Sequence, residues 1–136
     1  MSKCETAMTL WYWNEMGGTL IEEFPLVPKG RDHGARKLDA LIVLGAPRRR
    51  LKRGIAFDIA GKHVIVVQTK NSRLNMSLLG QAFFSARLLR NRFHPASLRS
   101  VALCTGTDSV LEQTIPGDSL VEVVACPIAV GRRHAT

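Results

Sequence analysis

The run His63-Val-Ile-Val-Val-Gln-Thr-Lys70 constrains the fold more than any other stretch of this chain. It is short, apolar and rich in β-branched residues, which marks a strand. A similar run, Arg36-Lys-Leu-Asp-Ala-Leu-Ile-Val43, precedes it and is suited to pair beside it. Side chains alternate along a strand, so Gln68 and Lys70 share a face, roughly 7 Å apart. Asp39 lies in the neighbouring run. An acid, an amide and a lysine on the rim of an apolar sheet are expensive to keep without a use. These three are therefore the leading functional candidates.

The elements around this pair follow from capping and periodicity. Residues 3–16 read as a helix: Ser2 with Glu5 forms a capping-box pattern, and Gly17-Gly18 stops the run. Residues 19–27 read as a strand closed by Pro28-Lys-Gly30, and residues 37–44 as a second strand ending at Gly45-Ala-Pro47. A very basic connection, Arg48-Arg-Arg-Leu-Lys-Arg53, leads to a short element around residues 55–59 and a turn at Gly61-Lys62. After the strand 63–70, Asn71 or Ser72 is placed to cap a long helix reaching Arg92. Its apolar positions Leu74, Leu78, Leu79, Ala82, Phe83, Ala86, Leu89 and Phe93 recur at three- and four-residue spacing. Arg87, Arg90 and Arg92 lie toward its C-terminal end, where positive charge suits the helix dipole. Pro95 follows, then a strand over 98–104, a short helix over 108–114, a strand over 119–126 and a frayed tail from Arg132. Three strands, a helical crossover and further strands imply an α/β fold, with a mixed central sheet flanked by helices.

A chain of 136 residues, 46% hydrophobic and 22% charged, suffices for one domain with a real core and is too short for two. No apolar run approaches the ~20 residues of a membrane span. The polar start, Met1-Ser-Lys-Cys-Glu-Thr6, lacks a signal-peptide pattern. Cys4, Cys104 and Cys126 are odd in number and widely spaced, as expected of reduced, core-filling thiols in a cytoplasmic protein. Charge is concentrated in the middle: residues 29–99 hold sixteen Lys and Arg against three Asp, a local net of +13. A block of that kind is the usual footprint of a nucleic-acid partner, against the alternative of a merely solvated basic surface. Metal-ligand spacing is absent among His33, His63, His94 and His134, and phosphate-binding glycine loops and a nucleophile elbow are absent too.

In this combination the residues resemble the PD-(D/E)XK, or restriction-endonuclease-like, nuclease superfamily. Arg36-Lys-Leu-Asp39 resembles its acid-bearing strand, Val66-Val-Gln-Thr-Lys70 its (E/Q)-x-K strand, and Gly80-Gln81 a glutamine that several branches carry on the following helix. The resemblance covers roughly residues 3–105 and implies an αβββαβ core, here with a C-terminal α/β extension, in a single nuclease-like domain over 1–136. Two positions depart from the pattern: no proline precedes Asp39, and Gln68 stands where an acid is usual. A glutamine still offers an amide oxygen to a hard cation, but the site is one negative charge poorer.

The resemblance implies hydrolysis of phosphodiester bonds, in DNA, with Mg²⁺ or Mn²⁺. Asp39, Gln68 and the Thr69 carbonyl would hold the cation, with Glu5, Glu22 or Glu23 as the compensating acid. Glu22 and Glu23, being adjacent, point to opposite faces, and Glu5 has the competing task of completing the helix cap. Lys70 would orient water or neutralise charge on the phosphate, and Gln81 would support the site. Arg36, Arg48, Arg49, Arg50, Lys52, Arg53 and Arg73 are the expected phosphate contacts, and Arg31 is a further candidate for the same backbone. Trp11, Tyr12 and Trp13 read as core and dimer-contact residues rather than base-stacking platforms, and a homodimer would supply two sites for two strands. The alternative is the same fold without chemistry, a nucleic-acid-binding or assembly module.

Overall fold

A computed structural model describes residues 1–127 and Val130; the tail expected from Arg132 lies outside the described residues. The elements are α1 (Lys3–Met16), β1 (Thr19–Glu22), β2 (Pro25–Val27), β3 (Arg36–Lys37), β4 (Ala40–Val43), β5 (Arg49–Arg50), β6 (His63–Thr69), α2 (Met76–Arg92), β7 (Ser97–Cys104), α3 (Ser109–Gln113) and β8 (Val121–Ala125). The fold is α/β, with a mixed six-stranded sheet in the order β5-β1-β4-β6-β7-β8. Strands β1, β4 and β6 form an antiparallel meander, and β7 and β8 add in parallel beyond β6. Helix α2 makes the crossover that a parallel β6–β7 pair requires.

Strands β4 and β6 are apolar without alternation because both faces are covered. On one face Met8, Tyr12 and Trp13 of α1 pack on Leu20, Ile42, Ile65 and Val67. On the other, Ala86 and Leu89 of α2 meet Ile21, Leu41, Val64 and Val66. The amino-terminal half of α2 packs Leu78, Leu79 and Ala82 against Ala102 and Val121. Tyr12 and Trp13 are thus core, as expected, and Trp11 is half-buried. The Trp13 indole N–H donates to the Gly18 carbonyl at 2.9 Å. Gly18 itself has φ +80°, and a Cβ there would run into the Val43 carbonyl oxygen. Cys104 and Cys126 are buried core residues and Cys4 is half-buried; none is in a disulfide. Among the described residues no helix is long and apolar enough to cross a membrane.

Four expectations are corrected. The strand placed over 19–27 breaks at Glu23, whose φ of +52° turns the chain out of the main sheet. The strand placed over 37–44 breaks opposite it, at Leu38 and Asp39, so that β2 and β3 pair as a separate ribbon. Glu23 N–H to the Asp39 carbonyl (2.9 Å) and Leu38 N–H to the Phe24 carbonyl (2.9 Å) hold the two breaks level. Residues 55–59 are irregular rather than a regular element, although Ile59 is fully buried. The cap of α2 is Asn75, whose side chain accepts from Leu78 N–H, not Asn71 or Ser72. Residues 71–75 are instead tied to the end of β7, through Thr105 N–H to the Ser72 carbonyl and Leu74 N–H to the Gly106 carbonyl.

Candidate functional site

The breaks in the meander place Asp39 at a corner, just before β4 and beside the end of β6. The regular ladder between these strands ends at Ala40 and Val67. One step further, two side chains continue it. The Asp39 N–H donates to Gln68 Oε1 (3.4 Å), and the Thr69 N–H donates to Asp39 Oδ2 (2.9 Å). This reciprocal clasp fixes both side chains against the backbone they face. Gln68 is 5% exposed, and its amide Nε2 also donates to Ser85 Oγ on α2 (2.7 Å). Asp39 Oδ1 takes no hydrogen bond from the described residues.

Glu5 arrives from the opposite face. Thr9, one turn further along α1, is fully buried and its hydroxyl meets that of Thr69 at 2.9 Å while donating to the Glu5 carbonyl. That contact sets the register of α1 on the sheet and delivers Glu5 to the end of β6. Glu5 completes the capping box, with Ser2 N–H donating to Oε1 (3.2 Å) and Glu5 N–H donating to Ser2 Oγ (3.1 Å). Its other oxygen, Oε2, accepts from Asn71 N–H at 3.3 Å. Glu5 therefore both caps the helix and faces Asp39.

Asp39, Glu5, Thr69, Lys70 and Gln81 line one polar cavity of about 250 Å³. Asp39 and Gln81 also line a larger groove of about 700 Å³ on the α2 side, with Gln68 in its wall. Lys70 and Gln81 are exposed at the rim. Burial pushes the Asp39 carboxyl above its ordinary value; the Thr69 N–H opposes this, Glu5 adds to the rise, and the N-terminal ammonium and then Lys70 pull the other way. The site thus holds Asp39 at a point where its negative charge lacks full compensation.

The remaining acids sit elsewhere. Glu22, 3% exposed at its side chain, pairs with Arg50 (2.7 Å) and lies 3.8 Å from Arg53. Glu23 pairs with Lys37 (3.3 Å) and Arg53 (3.6 Å). It is Glu5, rather than either of these, that shares a cavity with Asp39. Among the expected phosphate contacts, Arg50 and Arg53 are therefore engaged by carboxylates. Arg48 stacks on Trp13, 4.2 Å from the ring centre, and donates to Asn14 Oδ1. Arg31, Arg36, Arg49, Lys52 and Arg73 are exposed, and no acid lies within ion-pair reach of them among the described residues. Of these, Arg36 lies on the groove beside Asp39.

The donors around Asp39 are all oxygens, which suits a hard divalent cation. Among the described residues no three His, Cys, Asp or Glu side chains gather as a metal cluster. A cation here would rest on the Asp39 and Glu5 carboxylates, with the Thr69 carbonyl as a neutral partner; the Gln68 amide, expected as a ligand, is instead taken up by Asp39 N–H and Ser85 and does not line the cavity that Glu5 lines. Two carboxylates that line one cavity, Asp39 with its pKa raised in part by Glu5, form a set that such a cation would neutralise. Ser85 and Thr9, which orient Gln68 and Glu5, were not among the sequence candidates. Ser85 carried a signal all the same, as a hydroxyl on the buried stripe between Ala82 and Leu89. No family model, curated protein or solved structure matches the chain.

Proposed function

We propose that the chain is a restriction-endonuclease-like, divalent-metal-dependent endonuclease that hydrolyses phosphodiester bonds in nucleic acid, with DNA as the first substrate to test. One observation carries the reading. Asp39, the end of the Gln68–Lys70 strand, Gln81 and Glu5 come from four separate parts of the sequence and meet at one solvent-open point. The antiparallel β1–β4–β6 meander, the α2 crossover and the parallel β7 support this reading by their likeness to an αβββαβ core, with the β2–β3 ribbon and the β5 edge strand inserted between β1 and β6. Mg²⁺ or Mn²⁺, when bound, would polarise the phosphate and lower the pKa of the attacking water.

The chain's own residues have distinct tasks in this reading. Asp39 presents its free Oδ1 while Thr69 N–H fixes the other oxygen. Glu5 supplies the second negative charge that Gln68 cannot. Gln68 holds the corner in place through Asp39 N–H and Ser85. Lys70 brings a positive charge to the rim, where charge accumulates on a phosphate under attack. Gln81, between the two cavities, offers a neutral donor to the nucleic-acid backbone.

One observation favours a second reading, a nucleic-acid-binding module without chemistry. Gln68 replaces an acid, and its amide is already spent on two protein contacts. Plasmid nicking separates the two readings. The enzyme nicks supercoiled DNA with Mg²⁺ or Mn²⁺, and Asp39→Ala or Lys70→Ala abolishes it. Protein that shifts DNA in a gel and never cuts it under either metal is the binding module instead.

A further inference from the structure

We propose that the larger groove takes an unpaired nucleotide, with Phe84 as the stacking surface for its base and Arg36 as the contact for its phosphate. The preferred substrate is then single-stranded or locally unpaired nucleic acid rather than regular duplex. The inference rests on the nucleic-acid reading of the Asp39 site and specifies what that site receives.

Phe84 is 69% exposed, an unusual position for a phenyl ring on a helix whose other aromatic, Phe83, is half-buried against the core. Its placement is set by helical spacing. Gln81, Phe84, Ser85 and Leu88 stand at i, i+3, i+4 and i+7, so they form one stripe of α2 facing the groove. Ser85 is locked to Gln68, which holds this stripe against the Asp39 corner. Phe84 stands one helical turn from Gln81, about 5 Å along the axis. Opposite, the β2–β3 ribbon contributes Leu26, Arg36 and Lys37. The broken meander is what carries this ribbon out to form the facing wall.

Each wall suits one part of a nucleotide. Leu88 and the Phe84 ring offer apolar surface, with buried Leu26 behind it, and every base has a π-face to lay on a ring. Lys37 is paired with Glu23, whereas Arg36 has no acid within ion-pair reach among the described residues and is free to take a phosphate. The groove, about 700 Å³, is in the size range that encloses a nucleotide-sized group. Asp39 and Gln81 line both this groove and the polar cavity that Glu5 and Lys70 line. A strand crossing between the two would place its backbone at Asp39 with a base on Phe84. Stacked bases inside a duplex expose edges and backbone but no face, so a regular duplex cannot use this ring.

Fluorescence anisotropy in EDTA tests this without any cutting, using a labelled single-stranded oligonucleotide and the duplex of the same sequence. Wild-type protein binds the single strand more tightly. Phe84→Ala weakens single-strand binding by about five- to a hundredfold and leaves duplex binding within about twofold, while Phe84→Tyr keeps the preference. Equal binding of both probes, or a Phe84→Ala variant that loses nothing, overturns the inference. A parallel cleavage assay in Mn²⁺ keeps the two levels apart. Asp39-dependent cutting with no effect of Phe84→Ala sinks this inference and spares the nuclease reading. A Phe84-dependent single-strand preference without cutting upholds the inference and sinks the catalytic one. No association with either probe, together with no cutting in Mn²⁺, overturns both.

Discussion

Replacing Asp39 by asparagine separates a carboxylate kept for function from one kept for stability. Asparagine retains an oxygen that can accept the Thr69 N–H, now 2.9 Å from Asp39 Oδ2. It removes the charge that burial and Glu5 disfavour. The loss is the charge-assisted share of one hydrogen bond, about 1 kcal/mol. The gain is release from desolvation, and the raised pKa of Asp39 says that the unfavourable contributions outweigh the favourable ones. Asp39→Asn therefore leaves stability at pH 7 unchanged or raises it, and each kcal/mol gained would read as roughly 4 °C in midpoint for a domain of this size. Asp39→Ala leaves the Thr69 N–H without its acceptor and costs about 1–3 kcal/mol.

The pH dependence follows the same direction. A carboxyl whose folded-state pKa lies above its unfolded value, about 3.9, holds its proton more tightly in the folded chain. Its contribution to stability is complete below that unfolded value and is lost as pH rises through the raised one. Relative to wild type, Asp39→Asn thus has no charge-related advantage below about pH 4, and the advantage opens as pH increases. Urea unfolding in EDTA at several pH values, followed by the fluorescence of Trp11 and Trp13, reads this directly. A variant less stable than wild type by more than about 1 kcal/mol at pH 7, with the gap closing on acidification, would refute the reasoning and make Asp39 a stabilising anion.

Gln68→Glu places a second carboxylate against Asp39 and removes the amide N–H that Ser85 accepts at 2.7 Å. Metal-free protein should lose about 1–3 kcal/mol, and the rise in melting midpoint on adding Mn²⁺ should exceed that of wild type; equal Mn²⁺ shifts in thermal scans would argue against a cation at this point. Arg50→Ala removes the 2.7 Å partner of the buried Glu22 carboxylate, leaves it only Arg53 at 3.8 Å, and should cost about 1–3 kcal/mol. Arg48→Ala gives up mainly its stacking on Trp13, about 0.5–1 kcal/mol, and urea midpoints for the pair should rank accordingly.

The parts of the fold legible in the sequence are those where one local rule acts alone. Ser2 and Glu5 cap α1 as their spacing says, and β4 and β6 pair as two apolar β-branched runs should. The breaks at Glu23 and Asp39 were hidden because hydrophobicity continues across them: Phe24, Leu26 and Leu38 are as buried as the strands they leave. Only the long-range pairing of both breaks at one level makes the corner. The start of α2 was misplaced for a related reason. Asn71, Ser72 and Asn75 are all competent caps, and the docking of 71–75 on Thr105 and Gly106 decides among them.

The same contrast applies to the site, and it bears on Gln68. In sequence a glutamine at an acid's position reads as a missing charge. In the fold it closes the ladder between β4 and β6 and ties that corner to α2, at 5% exposure. A carboxylate there would face Asp39 across the clasp, with no donor from its own side to give Ser85. Glu5 can carry the second charge at lower cost, because it enters from a helix end and is stabilised by the Ser2 and Asn71 N–H groups. On the proposed reading, the negative charge has moved from strand to helix. The strand position is thereby free to act as a neutral hinge-pin between the acid and the groove that Phe84 lines.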